Sequence, residues 1–134
     1  MIVVEASVMA YALARMSALS DRCRAELARD EHWCAPQHFV AEMASAVRSM
    51  WWRGEVTEAA ALGVLDAVSR LEIEEQGVRP LLPRIWELRH NLSTYDAACA
   101  ALAEAFECPL LTADGGLARA PGLRCDVRLV AEAV

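Results

Sequence analysis

Four carboxylates stand alone in otherwise apolar stretches of this chain. They are Glu5 in Ile2-Val3-Val4-Glu5-Ala6-Ser7, Glu42 in Phe39-Val40-Ala41-Glu42-Met43-Ala44, Asp96 in Thr94-Tyr95-Asp96-Ala97-Ala98 and Asp114 in Leu110-Leu111-Thr112-Ala113-Asp114. An ionised carboxylate is costly to take out of water unless a cation or hydrogen-bond donors meet it. None of the four has a basic residue within three positions. Brought together, they would form an oxygen-rich site for a hard divalent cation, the usual equipment for hydrolysing phosphodiesters.

The elements that must position them are read from pattern. Residues 2–5 form a short apolar run, as in a strand buried on both faces. Residues 6–16 and 18–29 read as helices, the second with a capping signal at Ser20-Asp21. His32-Trp33-Cys34-Ala35 is a short strand closed by Pro36, and Phe39, Met43, Val47 and Met50 recur at helical spacing from His38 to Arg53, where Gly54 stops the run. Thr57 opens a helix to about Arg70, and Leu71-Glu72-Ile73-Glu74 alternates like an edge strand. Pro80 and Pro83 bracket the start of a helix through His90. Ser93 or Thr94 caps an Ala-rich helix to Phe106, and Pro109-Leu110-Leu111-Thr112 is a second buried strand. A turn with Gly115-Gly116 follows, and residues 123–130 form a last strand. Strands alternating with helices predict an α/β sandwich around a mainly parallel sheet, in one domain over 1–134.

In such a sheet, ligands bind beyond the carboxyl ends of the strands. Glu5 and Asp114 each end a buried strand, Asp96 falls in the first turn of a helix, and Glu42 lies one turn into its own. Four acids from four elements can therefore meet at one edge of the sheet. Each also has an ordinary structural reading. Ser93-x-x-Asp96 is a capping box and Asp114-Gly115 a common turn pair, while Glu42 and Glu5 could mark solvated edges.

Composition narrows the classes. The chain has 134 residues, enough for one domain with a core, and its 56% hydrophobic content excludes a disordered chain. No apolar run approaches the ~20 residues that span a bilayer, and the start lacks the basic region of a signal peptide, so a cytoplasmic protein without membrane contact is expected. Net charge is −6, against non-specific wrapping of nucleic acid. Five cysteines, Cys23, Cys34, Cys99, Cys108 and Cys125, show no C-x-x-C spacing and read as reduced core residues. His32, His38 and His90 are too scattered for a zinc set, and the His38-to-Glu42 spacing reads as an accident. Trp51 and Trp52 beside Met50 read as core or as a subunit contact, with nucleobase stacking a distant third reading.

The order and surroundings of the acids carry a resemblance to the PIN-domain ribonucleases, and within them to the VapC toxins of bacterial toxin–antitoxin pairs. It covers essentially the whole chain and is most specific in Leu92-Ser93-Thr94-Tyr95-Asp96-Ala97 and Pro109-Leu110-Leu111-Thr112-Ala113-Asp114. The resemblance implies a PIN-like three-layer sandwich, a five-stranded sheet with helices on both faces. It implies that Glu5, Glu42, Asp96 and Asp114 bind Mg²⁺ or Mn²⁺ for hydrolysis of RNA, with Ser7 and Thr112 in support. It also implies a homodimer and a cognate antitoxin. Arg48, Arg84 and Arg89, on helices near Glu42 and Asp96, are the expected RNA contacts. The departure is Glu5, where this family nearly always has Asp. One added methylene leaves two readings open: a working endoribonuclease, or a weakened PIN-fold module that binds antitoxin or RNA.

Overall fold

The computed structural model describes residues 1–131; residues 132–134, the last of the expected domain, lie outside the described residues. Five strands form one sheet in the order β3-β2-β1-β4-β5, and every pairing is parallel. The strands are β1 (Ile2–Val4), β2 (Trp33–Pro36), β3 (Glu74–Gln76), β4 (Leu110–Thr112) and β5 (Val127–Leu129). Around them run α1 (Ala6–Ala14), α2 (Ala18–Leu27), α3 (Phe39–Trp52), α4 (Glu58–Ser69), α5 (Leu82–Glu87), α6 (Thr94–Ala105) and α7 (Gly115–Ala118). Among the described residues no helix is long and apolar enough to cross a membrane.

The sheet separates two cores, because successive strand residues point to opposite faces. Ile2, Val4, Ala35 and Leu111 pack with α1 to α4, whereas Val3, Cys34 and Leu110 pack with α5 and α6. Both faces are covered, so the inner strands contain no polar alternation to betray their pleat. Four cysteines are buried and all five are free thiols. Burial pushes Cys23 up to about 11 and Cys34 up to about 12, which leaves both inert as nucleophiles near neutral pH.

Local chemistry explains where the boundaries fall. The helix expected over 6–16 stops at Ala14, because Arg15 takes a left-handed conformation (φ 53°) and donates its N–H to Tyr11. The cap of α2 is Ser17 rather than Ser20. Ser17 Oγ accepts from Ser20 N–H, while Ser20 Oγ accepts from Met16 N–H. Gly54 adopts φ 75° just past α3, which lets Glu55 N–H return to Met50 at 2.9 Å.

Several expectations are corrected. The strand expected at 71–74 lies at Glu74–Gln76, since Leu71 and Ile73 tuck against the core instead of forming one face of a ladder. As an edge strand, β3 tolerates its polar sequence. The helix expected to reach His90 ends at Glu87, after a 3-10 turn at Arg79–Leu81. The turn at Gly115-Gly116 is the first part of the short helix α7, and the last strand is only Val127–Leu129.

Candidate active site

Strand order makes one position special. From β1 the chain moves outward to β2 on one side, and β4 joins β1 on the other, so the sheet switches direction between β1 and β4. A crevice opens beyond the carboxyl ends at such a switch point. Val4 pairs with Leu111, which places Glu5 and Thr112 next to each other at the mouth of that crevice.

Glu5 is 7% exposed and caps α1. Its Oε2 accepts from Ser7 N–H (3.1 Å), from the Ser7 hydroxyl and from Thr112 Oγ1 (3.1 Å). The two hydroxyls are themselves fixed by the opposite strand end. Ser7 Oγ accepts from Ala113 N–H (3.2 Å) and Thr112 Oγ1 from Asp114 N–H (3.0 Å). Glu5, Ser7, Thr112 and the backbone leading to Asp114 thus form one network tying β1 to β4. Burial still raises the Glu5 carboxyl above its ordinary value; the bonds from Ser7 and Thr112 oppose this, and the charge of Asp96 adds to it.

Asp96 sits in the first turn of α6, where Ser93 Oγ caps the helix by accepting Asp96 N–H at 3.2 Å. Its carboxyl is raised by partial burial first, then by the charges of Asp114 and Glu42, against help from Ser93 and His38. Asp114 is exposed and caps α7, its Oδ1 accepting from Gly116 N–H (2.8 Å) and Leu117 N–H (3.4 Å). Glu42 faces the same space from α3. It lines, with Glu5, Ser7, His38 and Tyr95, a cleft of about 460 Å³.

Asp96 feels Asp114 and Glu42, and Glu5 feels Asp96, so all four acids share one electrostatic neighbourhood. They do not close on a single point: among the described residues, no three His, Cys, Asp or Glu side chains are gathered closely enough to hold a metal ion. Glu5 is turned into its hydrogen bonds and Asp114 into its cap. The donor set nonetheless fits a hard divalent cation in kind: all four groups are carboxylates, and the cleft, lined by Glu5 and Glu42 but not by Asp96 or Asp114, has no arginine in its wall.

Two lining residues were not expected here. His38 Nε2 lies 2.9 Å from Glu42 Oε1, yet the geometry is too bent for a hydrogen bond and the buried nitrogen has no hydrogen-bond partner. The contact is one of proximity. Tyr95 tilts over the imidazole with ring centroids 4.9 Å apart. The four-residue step from His38 to Glu42 was the available signal for the first, and an aromatic beside Asp96 for the second.

The arginines expected to meet RNA stand outside the lining of this cleft. Arg48 turns to the groove between α3 and α4, with its guanidinium 5.6 Å from the Trp52 ring, because it lies roughly a third of a turn around the helix from Glu42. Arg84 is consumed by structure: it bonds Glu104 at 2.7 and 3.2 Å, Glu87 at 3.1 Å and the Gly122 carbonyl at 2.6 Å. Burial opposes ionisation of Glu104, but the bonds and charges of Arg84 and Arg124 hold it below the ordinary value. Arg89 is exposed, stacks 4.5 Å from the Trp86 ring and does not line the cleft.

The PIN domain model matches residues 2–123. The chain belongs to the PIN-domain family. Among curated relatives, Ribonuclease VapC1 of Mycobacterium tuberculosis is 42% identical over 97 residues, covering 72% of this chain and 73% of its own. Ribonuclease VapC9 of the same organism is 37% identical over 130 residues, or 97% and 98% of the two chains. Among solved structures, M. tuberculosis VapC20, described as a Sarcin-Ricin loop cleaving toxin, superposes with TM-score 0.68 at 18% identity, covering 92% of this chain and 96% of that one. The PIN architecture of a parallel sheet between helical layers is the one described above.

Proposed function

We propose that this PIN domain is an endoribonuclease, the toxin of a toxin–antitoxin pair, and that it works with Mg²⁺ or Mn²⁺. The observation that carries the reading is the set of four carboxylates sharing one field at the β1–β4 switch point, in a chain related along its length to VapC ribonucleases. Glu5, Asp96 and Asp114 would hold the cation, with Glu42 completing the oxygen set. A bound divalent cation lowers the pKa of a water and offsets charge on phosphate oxygens. The chain's own contribution is orientation. Ser7 and Thr112 fix the Glu5 carboxylate, and through Ala113 and Asp114 N–H they fix the backbone that presents Asp114. Such supporting bonds keep ligand carboxylates in a narrow range of directions.

RNA is the proposed substrate, a cognate antitoxin the proposed partner and the cytoplasm the proposed place of action. A homodimer is proposed as well, since Trp51, Trp52, Leu62 and Leu65 leave an apolar surface along α3 and α4. The test is cleavage of RNA by the purified chain with Mg²⁺, with Mn²⁺ and with chelator. Cleavage should require metal and fall by a hundredfold or more, on the order expected for a lost ligand, in Asp114→Asn and Asp96→Asn. Metal-independent cleavage, or full activity in both variants, refutes the reading.

A second reading rests on one specific observation. Glu5 is folded into the Ser7 and Thr112 hydroxyls, and no three donors stand ready for a cation among the described residues. A PIN-fold module weakened in catalysis, binding antitoxin or RNA, would look this way. Absence of cleavage with either metal, together with retained RNA or antitoxin binding, favours it.

A further inference from the structure

The cleft has a composition that a phosphate-binding channel would not have. Its lining residues include Glu5 and Glu42 but no arginine, so without a cation its field repels an RNA backbone. What it offers is an aromatic face and hydroxyls. Tyr95 is 57% exposed although it lines the cleft, and it directly precedes Asp96. His38, whose side chain is only 16% exposed, packs against the tyrosine ring with centroids 4.9 Å apart and the ring planes tilted by 59°. Ser45 and Ser49 follow Glu42 along α3 and also line the cleft, which adds hydroxyls to its wall.

We propose that Tyr95, backed by His38, is a stacking platform for the base of an unpaired RNA nucleotide lying beside the carboxylate site. The proposal rests on the RNA reading above and adds to it a residue that holds the nucleotide. A base in a continuous duplex already has both faces covered, whereas an unpaired base gains by stacking on an aromatic ring. Stacking needs no positive charge, which suits a cleft whose only cationic candidate touches Glu42. The hydroxyls of Ser45 and Ser49 add donors and acceptors for a base edge or a 2′-hydroxyl. Tyr95 is thereby a positioning residue for the nucleotide and takes no part in bond breaking.

The test compares binding of a fluorescein-labelled single-stranded RNA with binding of the same strand annealed to its complement. Anisotropy is measured in Mg²⁺ on an Asp114→Asn background that suppresses turnover. Tyr95→Ala should weaken single-strand binding roughly five- to a hundredfold, the range for loss of one stacked base, while Tyr95→Phe and Tyr95→Trp stay within about threefold. Tyr95→Leu keeps apolar packing without an aromatic face and should lose as much as Tyr95→Ala, which separates stacking from folding. RNA carrying 5-iodouridine should crosslink to Tyr95, with or without metal. In the unmutated background, Tyr95→Ala should raise KM and leave kcat within about threefold.

Single-strand affinity unchanged in Tyr95→Ala and Tyr95→Leu overturns the proposal, as does an equal loss for the duplex or no single-strand binding by the parent protein. A tyrosine needed only for a protein partner, with RNA binding unaffected, also overturns it. A protein that cleaves RNA indifferently to Tyr95 keeps the nuclease reading and loses the platform. One that binds through Tyr95 but never cleaves does the reverse.

Discussion

Replacing Glu5 by Asp removes one methylene from the residue that departs from the family pattern, and the structure shows what the change does. The carboxylate withdraws by about 1.5 Å, the length of one carbon–carbon bond. Thr112 Oγ1, now 3.1 Å from Oε2, then falls outside hydrogen-bond reach. Losing a hydrogen bond to a charged group costs about 1.5–3 kcal/mol. Against this, Asp is a favoured cap for α1 whereas Glu is not, a gain of about 0.5–1 kcal/mol, and a shorter chain is less deeply desolvated. The net is a loss of about 1 kcal/mol, or about 3–5 °C in melting temperature for a chain of this size. Activity should move the other way. A ligand carboxylate withdrawn by that distance, to where an Asp side chain would hold it, should raise metal-dependent RNA cleavage ten- to a hundredfold, roughly the effect of an ångström-scale displacement in an active site. The assay is initial-rate cleavage of a labelled RNA in Mg²⁺ and in Mn²⁺, with calorimetric metal affinity and thermal melts on the same preparations. If Glu5→Asp lowers both cleavage and metal affinity while the protein stays folded, the longer side chain is the working ligand and the reasoning is refuted.

Other perturbations read separate parts of the structure. Burial raises the Glu5 and Asp96 carboxyls, so over the interval from their ordinary values (4.5 and 3.8) up to the raised ones the folded chain holds protons that the unfolded chain has released. Their contribution to stability is therefore greatest at the acid end and declines as pH rises. Glu5→Gln should flatten part of that decline in metal-free melts, and an unchanged slope contradicts the assignment. Thr112→Val removes the acceptor of Asp114 N–H and a donor to Glu5, which should cost about 1–3 kcal/mol in urea unfolding. Arg84→Ala should destabilise by a similar amount, as the 2.7 Å pair with Glu104 is largely enclosed. Arg89→Glu should leave stability alone; if Arg89 guides RNA, it should lower the log–log salt slope of binding by about one. Sedimentation at micromolar concentration should give twice 14.7 kDa, and a monomer removes the homodimer.

Much of this molecule was legible in the residue order. Ile2-Val3-Val4 and Leu110-Leu111-Thr112 announced doubly buried strands, because apolar runs too short for a membrane and flanked by helices fit few other places. Lone acids at the ends of those runs marked a candidate site; the cost of burying a bare carboxylate applies to Glu5, whereas Asp114 is exposed. Local pattern failed where packing overrode it. The alternation of Leu71 and Ile73 described contact with the core and not a ladder, and β3 formed on the polar residues after them because the free edge beside β2 was there. The arginines mark a similar limit. Their charge was visible in sequence, but helical phase sent Arg48 to Trp52, and a contact twenty residues away drew Arg84 to Glu104. Glu5 carries the same distinction. Sequence gave its type and its oddity, whereas only the β1–β4 register set Thr112 beside it and Ser7 against Ala113. Residue types are local properties, while the partners that decide what a carboxylate does arrive from distant strands through the fold.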